Sequence, residues 1–229
     1  GQVTLSDSFD AFQAPPGRPR CLVVTGGHEY DSEFYCLFDH DKFDWDHAIS
    51  NTEAFSRDIR ELYDVVVLYD LSRNIDNAGR ANLKAFMESG KGLVVLHHAI
   101  ADYGGWDWWV REVVGGKYLL EPENGMPAST YLHDVELFVR PAEEHPITAG
   151  IGPLHIWDET YKGMWISPEV KVILKTDEST SDGPLAWISP YGKSRVVYLQ
   201  LGHDRKAFLH PAYRELVERA ILWSAGRLE

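Results

Sequence analysis

A chain of 229 residues, 44% hydrophobic and 25% charged, has the composition of a globular protein and the length of one α/β domain with a sizeable core. Its 35 acidic against 22 basic residues give a net charge of −13, which repels nucleic-acid phosphates and anionic membranes, so neither is expected as a partner. Two cysteines, Cys21 and Cys36, make no disulfide framework and point to a cytoplasmic, reducing setting, and no run reaches the roughly 20 apolar residues of a membrane span.

Residues 1–19 are polar, end in A-P-P-G-R-P and read as an arm; residues 20–229 read as one domain. The arm has no basic segment followed by an apolar one, so no signal peptide is expected, and a leader removed ahead of Gly1 stays open. Cys21–Thr25 is a short buried strand leading into G26-G-H-E-Y30. Residues 31–40 are expected to form a helix, 43–49 a half-exposed strand, and 53–61 a short helix. Val65–Tyr69 is a second apolar strand. Ile75–Ser89 has helical spacing with Leu83, Phe86 and Met87 on one face, and Gly90 stops it. Leu93–Leu96 is a third apolar strand, and Trp106–Val114 a helix closed by Gly115-Gly116. Strands alternating with helices in this way predict a mainly parallel sheet, covered on both faces. Beyond residue 128 the pattern changes: 131–139, 171–175 and 185–188 alternate and read as added antiparallel strands. Arg195–Leu201 is another buried strand, and Tyr213–Ser224 a closing helix.

In open parallel sheets ligands bind beyond the carboxyl ends of the strands. Three buried strands deliver histidine there: the first leads to His28, the third to His97-His98 with Asp102 soon after, and the last to His203. One histidine would be a strand-end cap; three at equivalent ends predict a shared cleft. His97 and His98 in extended backbone would point to opposite sides, so only one of them is expected to face it. A second cluster, I156-W-D-E-T-Y161, sets Asp158 and Glu159 among aromatics; it is a solvated turn unless it folds back over the histidines. There is no H-E-x-x-H, C-x-x-C, G-x-S-x-G or P-loop, and T25-G-G-H does not fit G-x-G-x-x-G, so no nucleotide cofactor is expected.

G92-L-V-V-L-H-H-A with Asp102, G115-G-K-Y118, E144-H-P-I-T148, D158-E-T-Y161, P184-L-A-W187 and G192-K-S-R-V-V-Y198 followed by L201-G-H203 resemble, in order and spacing, the trehalose-utilisation (ThuA-like) family. The resemblance implies the class I glutamine amidotransferase fold, a flavodoxin-like three-layer sandwich. In amidotransferases the strand matching Leu93–Leu96 ends in an elbow carrying a nucleophilic cysteine. Here the elbow reads L96-H-H-A99, with Cys21 and Cys36 elsewhere, so glutaminase chemistry is not expected. Two positions depart from the family pattern: a His97-His98 pair stands where one histidine and a small residue are usual, and Ser194 replaces a glycine. The family register favours His97 as the cleft-facing member.

The family is associated with sugar catabolism beside oxidoreductases that make 3-keto sugars. A C3 ketone acidifies the C2 proton and sets up elimination of the C1 substituent, which calls for a base, an electrophile and a proton donor. A divalent metal, zinc or manganese, held by His28, His97 and His203 with Glu159 or Asp158, would polarise the ketone. His97, Asp102, Asp158, Glu159 and Tyr161 are the candidate catalytic groups, and Tyr30, Trp106 and Trp157 the candidate sugar contacts, with Trp108 and Trp109 as further stacking candidates. A hydrolase or lyase on a keto-sugar or disaccharide derivative is therefore expected, with a homo-oligomer as its expected assembly. The alternatives are metal-free histidine acid–base catalysis and a non-catalytic sugar-binding or partner protein.

Overall fold

The structure is a computed structural model that describes residues 17–229, so most of the expected arm lies outside the described residues. Eleven strands are found among them: β1 (Arg20–Val24), β2 (Asp44–Ala48), β3 (Val65–Leu68), β4 (Gly92–Leu96), β5 (Gly116–Lys117), β6 (Thr130–Pro141), β7 (Leu154–Lys162), β8 (Trp165–Ile166), β9 (Lys171–Thr176), β10 (Pro184–Ile188) and β11 (Val196–Leu199). The α-helices are α1 (Asn51–Ala54), α2 (Asn77–Glu88), α3 (Arg205–Phe208) and α4 (Pro211–Ser224). No helix among the described residues is long and apolar enough to cross a membrane.

Nine strands form one sheet in the order β2-β1-β3-β4-β11-β10-β9-β6-β7, and β5 pairs with β8 separately. From β2 to β11 every pairing is parallel; from β11 outward to β7 every pairing is antiparallel. The expected parallel sheet with later antiparallel additions is what forms. The parallel strands are apolar throughout because both faces are covered, and alternate residues feed two cores. Val23, Val67, Val94 and Val197 pack with Phe34, Phe208 and the α4 residues Leu216, Val217 and Ile221. Val24, Val66, Leu93 and Tyr198 pack on the other face with Leu83, Phe86 and Met87 of α2 and with Trp109 and Val113. Gly92 lets α4 lie on the sheet: a Cβ there would stand 2.4 Å from the Ser224 carbonyl oxygen. Asp76 caps α2, its carboxylate accepting from Gly79 N at 2.7 Å.

Several local expectations are corrected. The 31–40 segment holds only a 3₁₀ turn, Ser32–Leu37, and the 53–61 helix shrinks to the single turn of α1. Trp108–Val114 winds as a π-helix, ended by Gly115 at φ +73°, whose N–H bonds Val110 O. The largest correction concerns 154–162, which is strand rather than a solvated turn, with Asp158 and Glu159 buried within it.

Candidate functional site

His97 is not in extended backbone. It opens a helical turn over His97–Ala101 with φ +50°, a left-handed conformation that is costly for a residue with a Cβ. The turn is held from outside: Tyr198 Oη donates to His97 O at 3.2 Å, and His97 Nδ1 lies 2.6 Å from Gln200 O. Both histidines of the pair are consequently buried, correcting the expectation that they part to opposite sides. Their rings meet edge to face at 5.4 Å, and His98 Nε2 bonds Tyr69 O at 3.1 Å.

The Gln200 carbonyl can only accept, so His97 Nδ1 carries a hydrogen and Nε2 faces the cleft. There it meets Tyr161 Oη at 3.0 Å and Glu159 Oε2 at 2.9 Å. His203 Nδ1 lies 3.5 Å from the same carboxylate oxygen. Burial alone would raise the Glu159 pKa, but the two imidazoles override it and hold the carboxyl well below the usual carboxylate range. His203 is drawn up in turn by Glu159, against partial burial. An imidazole lone pair and a carboxylate 2.9 Å apart repel unless a positive species, proton or metal ion, lies between them.

His203 is delivered by a second set of contacts. Asp158, fully enclosed, accepts from Gly202 N at 2.8 Å, His203 N at 2.9 Å and its neighbour Glu159 N at 2.8 Å. Burial pushes its carboxyl up, opposed by His97 and these N–H groups. Tyr69 Oη donates to Gly202 O at 2.8 Å. Gly202 sits at φ +121°, where a Cβ would stand 2.2 Å from Tyr213 Oη, so only glycine lets the chain turn here. Asp158 therefore builds the loop, while Glu159, Tyr161 and the two histidines form the site.

The predicted residues divide accordingly. His97, Glu159 and His203 each offer one ligand atom, all within 4.8 Å of one another. His28 is exposed, stacks on His98 at 4.3 Å and stands outside this group. Asp102 is sealed: its Oδ1 accepts from Ser72 N at 2.6 Å, and it is coupled to Asp70, which places it behind the turn rather than among the ligands. Tyr30 spends its hydroxyl on Thr25 and Tyr35. Trp106 packs against Trp108 and Trp109 beneath Arg80, and Trp109 is core. Trp157, two residues before Glu159 on β7, is 46% exposed.

Two residues escaped the sequence reading. His133 on β6 places Nδ1 3.2 Å from Glu159 Oε1 and its ring 4.4 Å from that of His203. It lies inside the 131–139 stretch read as an alternating strand, and that reading gave it no place in the site. Gln200, fully buried at the end of β11, has a side-chain amide with no protein partner among the described residues.

The sequence matches the family described as ThuA, trehalose utilisation, over residues 20–224. The chain belongs to this family. No curated protein matches it. Among solved structures it is similar to a ThuA-like protein from Parabacteroides merdae, at 18% identity and TM-score 0.79, covering 92% of this chain and 91% of that one. A ThuA-like protein from Bacteroides uniformis is similar at 19% identity and TM-score 0.69, over 91% and 92% of the two chains. A β-galactosidase from Rahnella matches 90% of this ThuA-family chain with 31% of its own length, at 13% identity and TM-score 0.61. These likenesses concern the fold.

Proposed function

We propose that this ThuA-family protein is an enzyme of carbohydrate catabolism, a hydrolase or lyase acting on a keto-sugar or disaccharide derivative at a divalent-cation site formed by His97, Glu159 and His203. The observation that carries the reading is the convergence of these three side chains, from two strand-end loops and one strand, onto a buried point where two acceptors face each other. The donor set fits a cation: ligands about 2 Å from a metal ion stand about 3 Å from one another, both imidazoles lie 2.9 and 3.5 Å from the Glu159 carboxylate, and two imidazoles with one carboxylate suit zinc, manganese or iron(II). His203 Nδ1 is otherwise buried without a hydrogen-bond partner. The Gln200 carbonyl fixes the His97 tautomer in the manner usual for a metal-binding histidine.

When bound, the cation supplies a Lewis acid for a substrate carbonyl. The chain's own groups do the rest. Tyr161 presents a buried hydroxyl beside His97 for a substrate oxygen, Asp158 holds the His203 loop, and Trp157 offers an exposed ring for a sugar face. Neither cysteine takes part: Cys21 is buried in β1, and Cys36 lies in the 3₁₀ turn. The parallel half is read as a flavodoxin-like layer structure, and the free thiols accord with a cytoplasmic setting.

The test is turnover of 3-keto-trehalose, with trehalose alongside, by protein reconstituted with zinc or manganese. The parent should consume the keto-sugar, and Glu159→Gln and His203→Ala should lose at least about 100-fold. Full activity in Glu159→Gln would remove the proposed site. Saccharide binding without turnover by the parent would favour a non-catalytic binding protein.

A further inference from the structure

His133 reaches the site only because β6 is irregular. Leu132 pairs with Thr160 and Val135 with Asp158, so β6 spends three residues where β7 spends two. The extra residue makes a bulge over His133 and Asp134, with Asp134 at φ +55°. A bulge re-aims one side chain and interrupts the ladder. Here the re-aimed side chain is His133, turned onto Glu159. The bulge is tied down on the site side: the Asp134 carboxylate pairs with Lys206, three residues past His203. A left-handed aspartate held by an ion pair to the loop that carries a candidate ligand is a built feature.

Glu159 is thereby shared. Its Oε2 meets His97 and His203, while its Oε1 meets His133, which is the half-exposed member of the set. In this arrangement His133 stands outside the compact group of three ligand atoms. Its one polar side-chain contact among the described residues is the 3.2 Å approach to Glu159 Oε1, and its ring otherwise meets only the rings of Tyr131 and His203, so rotation of the side chain gives up one polar contact and two ring contacts. Three protein ligands leave a cation with an open position, and the half-exposed His133 imidazole, against both Glu159 and His203, offers a further nitrogen donor beside it.

We propose that His133 is a displaceable fourth ligand: it closes the coordination shell in the resting protein and gives way to a substrate oxygen entering from solvent. The proposal rests on the cation site inferred above. It assigns to one half-exposed residue both protection of the bound ion and selection for ligands able to replace an imidazole, such as a vicinal hydroxyl–carbonyl pair.

Cobalt(II) is the probe, because its visible absorption is strong when four-coordinate and weak when water raises the coordination number. The parent, His133→Ala, His133→Gln and the control His155→Ala, an exposed β7 histidine paired with Glu136, would each be titrated with cobalt. Expected are strong bands in the parent and His155→Ala, weak bands in both His133 variants, and affinity lowered by about 10-fold or more in His133→Ala. Circular dichroism confirms that each variant is folded. Unchanged spectra and affinity in both His133 variants would overturn the fourth-ligand proposal and leave the three-ligand site standing. Failure of the parent itself to bind cobalt would overturn both readings.

Discussion

The two halves of the sheet divide the labour. The parallel half is built of continuous apolar strands, buried on both faces, and its strand ends supply His97 and, through the loop after β11, His203. The antiparallel hairpin of β6 and β7 is half-exposed, irregular in register, and supplies Glu159, Tyr161 and His133. Imidazoles from a rigid frame meet a carboxylate from an added hairpin. The turn after β4 holds His97 in a left-handed conformation, and the carboxylate this residue meets comes from the other half.

This division predicts a ranking of damage. Replacing Glu159 by Gln removes the charge that His97 and His203 meet and leaves the apolar frame intact. Cation affinity, measured by calorimetry, should fall by roughly 100-fold or more while the thermal midpoint is retained. An unchanged affinity would show that the hairpin is not part of the centre. Asp158→Asn should be the reverse, a structural lesion with a functional echo. It weakens three backbone hydrogen bonds to a buried carboxyl, at a cost of about 1–3 kcal/mol in urea unfolding, and loosens the His203 loop. A folded variant with parent stability would contradict the clamp.

Smaller effects sharpen the comparison. Tyr161→Phe should lower turnover about 5–10-fold with cation affinity nearly kept, the loss expected for one hydrogen bond. Loss of the metal ion instead would make the hydroxyl part of the cation's support. Behind the parallel frame, Asp70 and Asp102 are a sealed carboxyl pair. Burial pushes Asp70 up to about 6, and burial together with Asp70 holds Asp102 well above the usual carboxylate range. Across this range the pair binds more protons in the folded state than in the unfolded chain, so its contribution to stability is full below the unfolded value near 4 and is lost as pH rises through 6 and beyond. Asp102→Asn removes one of the titrating partners. The urea midpoint of the variant should therefore change less with pH than that of the parent; equal slopes would deny the pair its role.

The same contrast explains what was legible in the sequence. Apolar runs such as V65-V-V-L68 and L93-V-V-L96 declare themselves because nothing polar can sit between two covered faces. The strand-end position of the histidines followed from them. β7 stayed hidden because W157-D-E-T breaks the alternation with two adjacent buried carboxyl groups, one serving backbone N–H groups and the other imidazoles. His133 stayed hidden because a bulge has no period. His28 was overvalued because a strand-end histidine looks alike in sequence whether it faces the shared point or, as here, stacks at its rim. Asp102 was overvalued in the same way, since nothing in its spacing revealed that Asp70 and Ser72 would enclose it.

The measurement that tests the account most directly is elemental analysis of protein purified without a metal-carrying tag, in the parent and in a His97→Ala/His203→Ala double variant, after incubation with zinc or manganese and gel filtration. The account predicts close to one equivalent of metal in the parent and almost none in the double variant, with both folded. Equal metal content in the two would place the ion elsewhere and contradict the meeting of frame and hairpin as a cation centre.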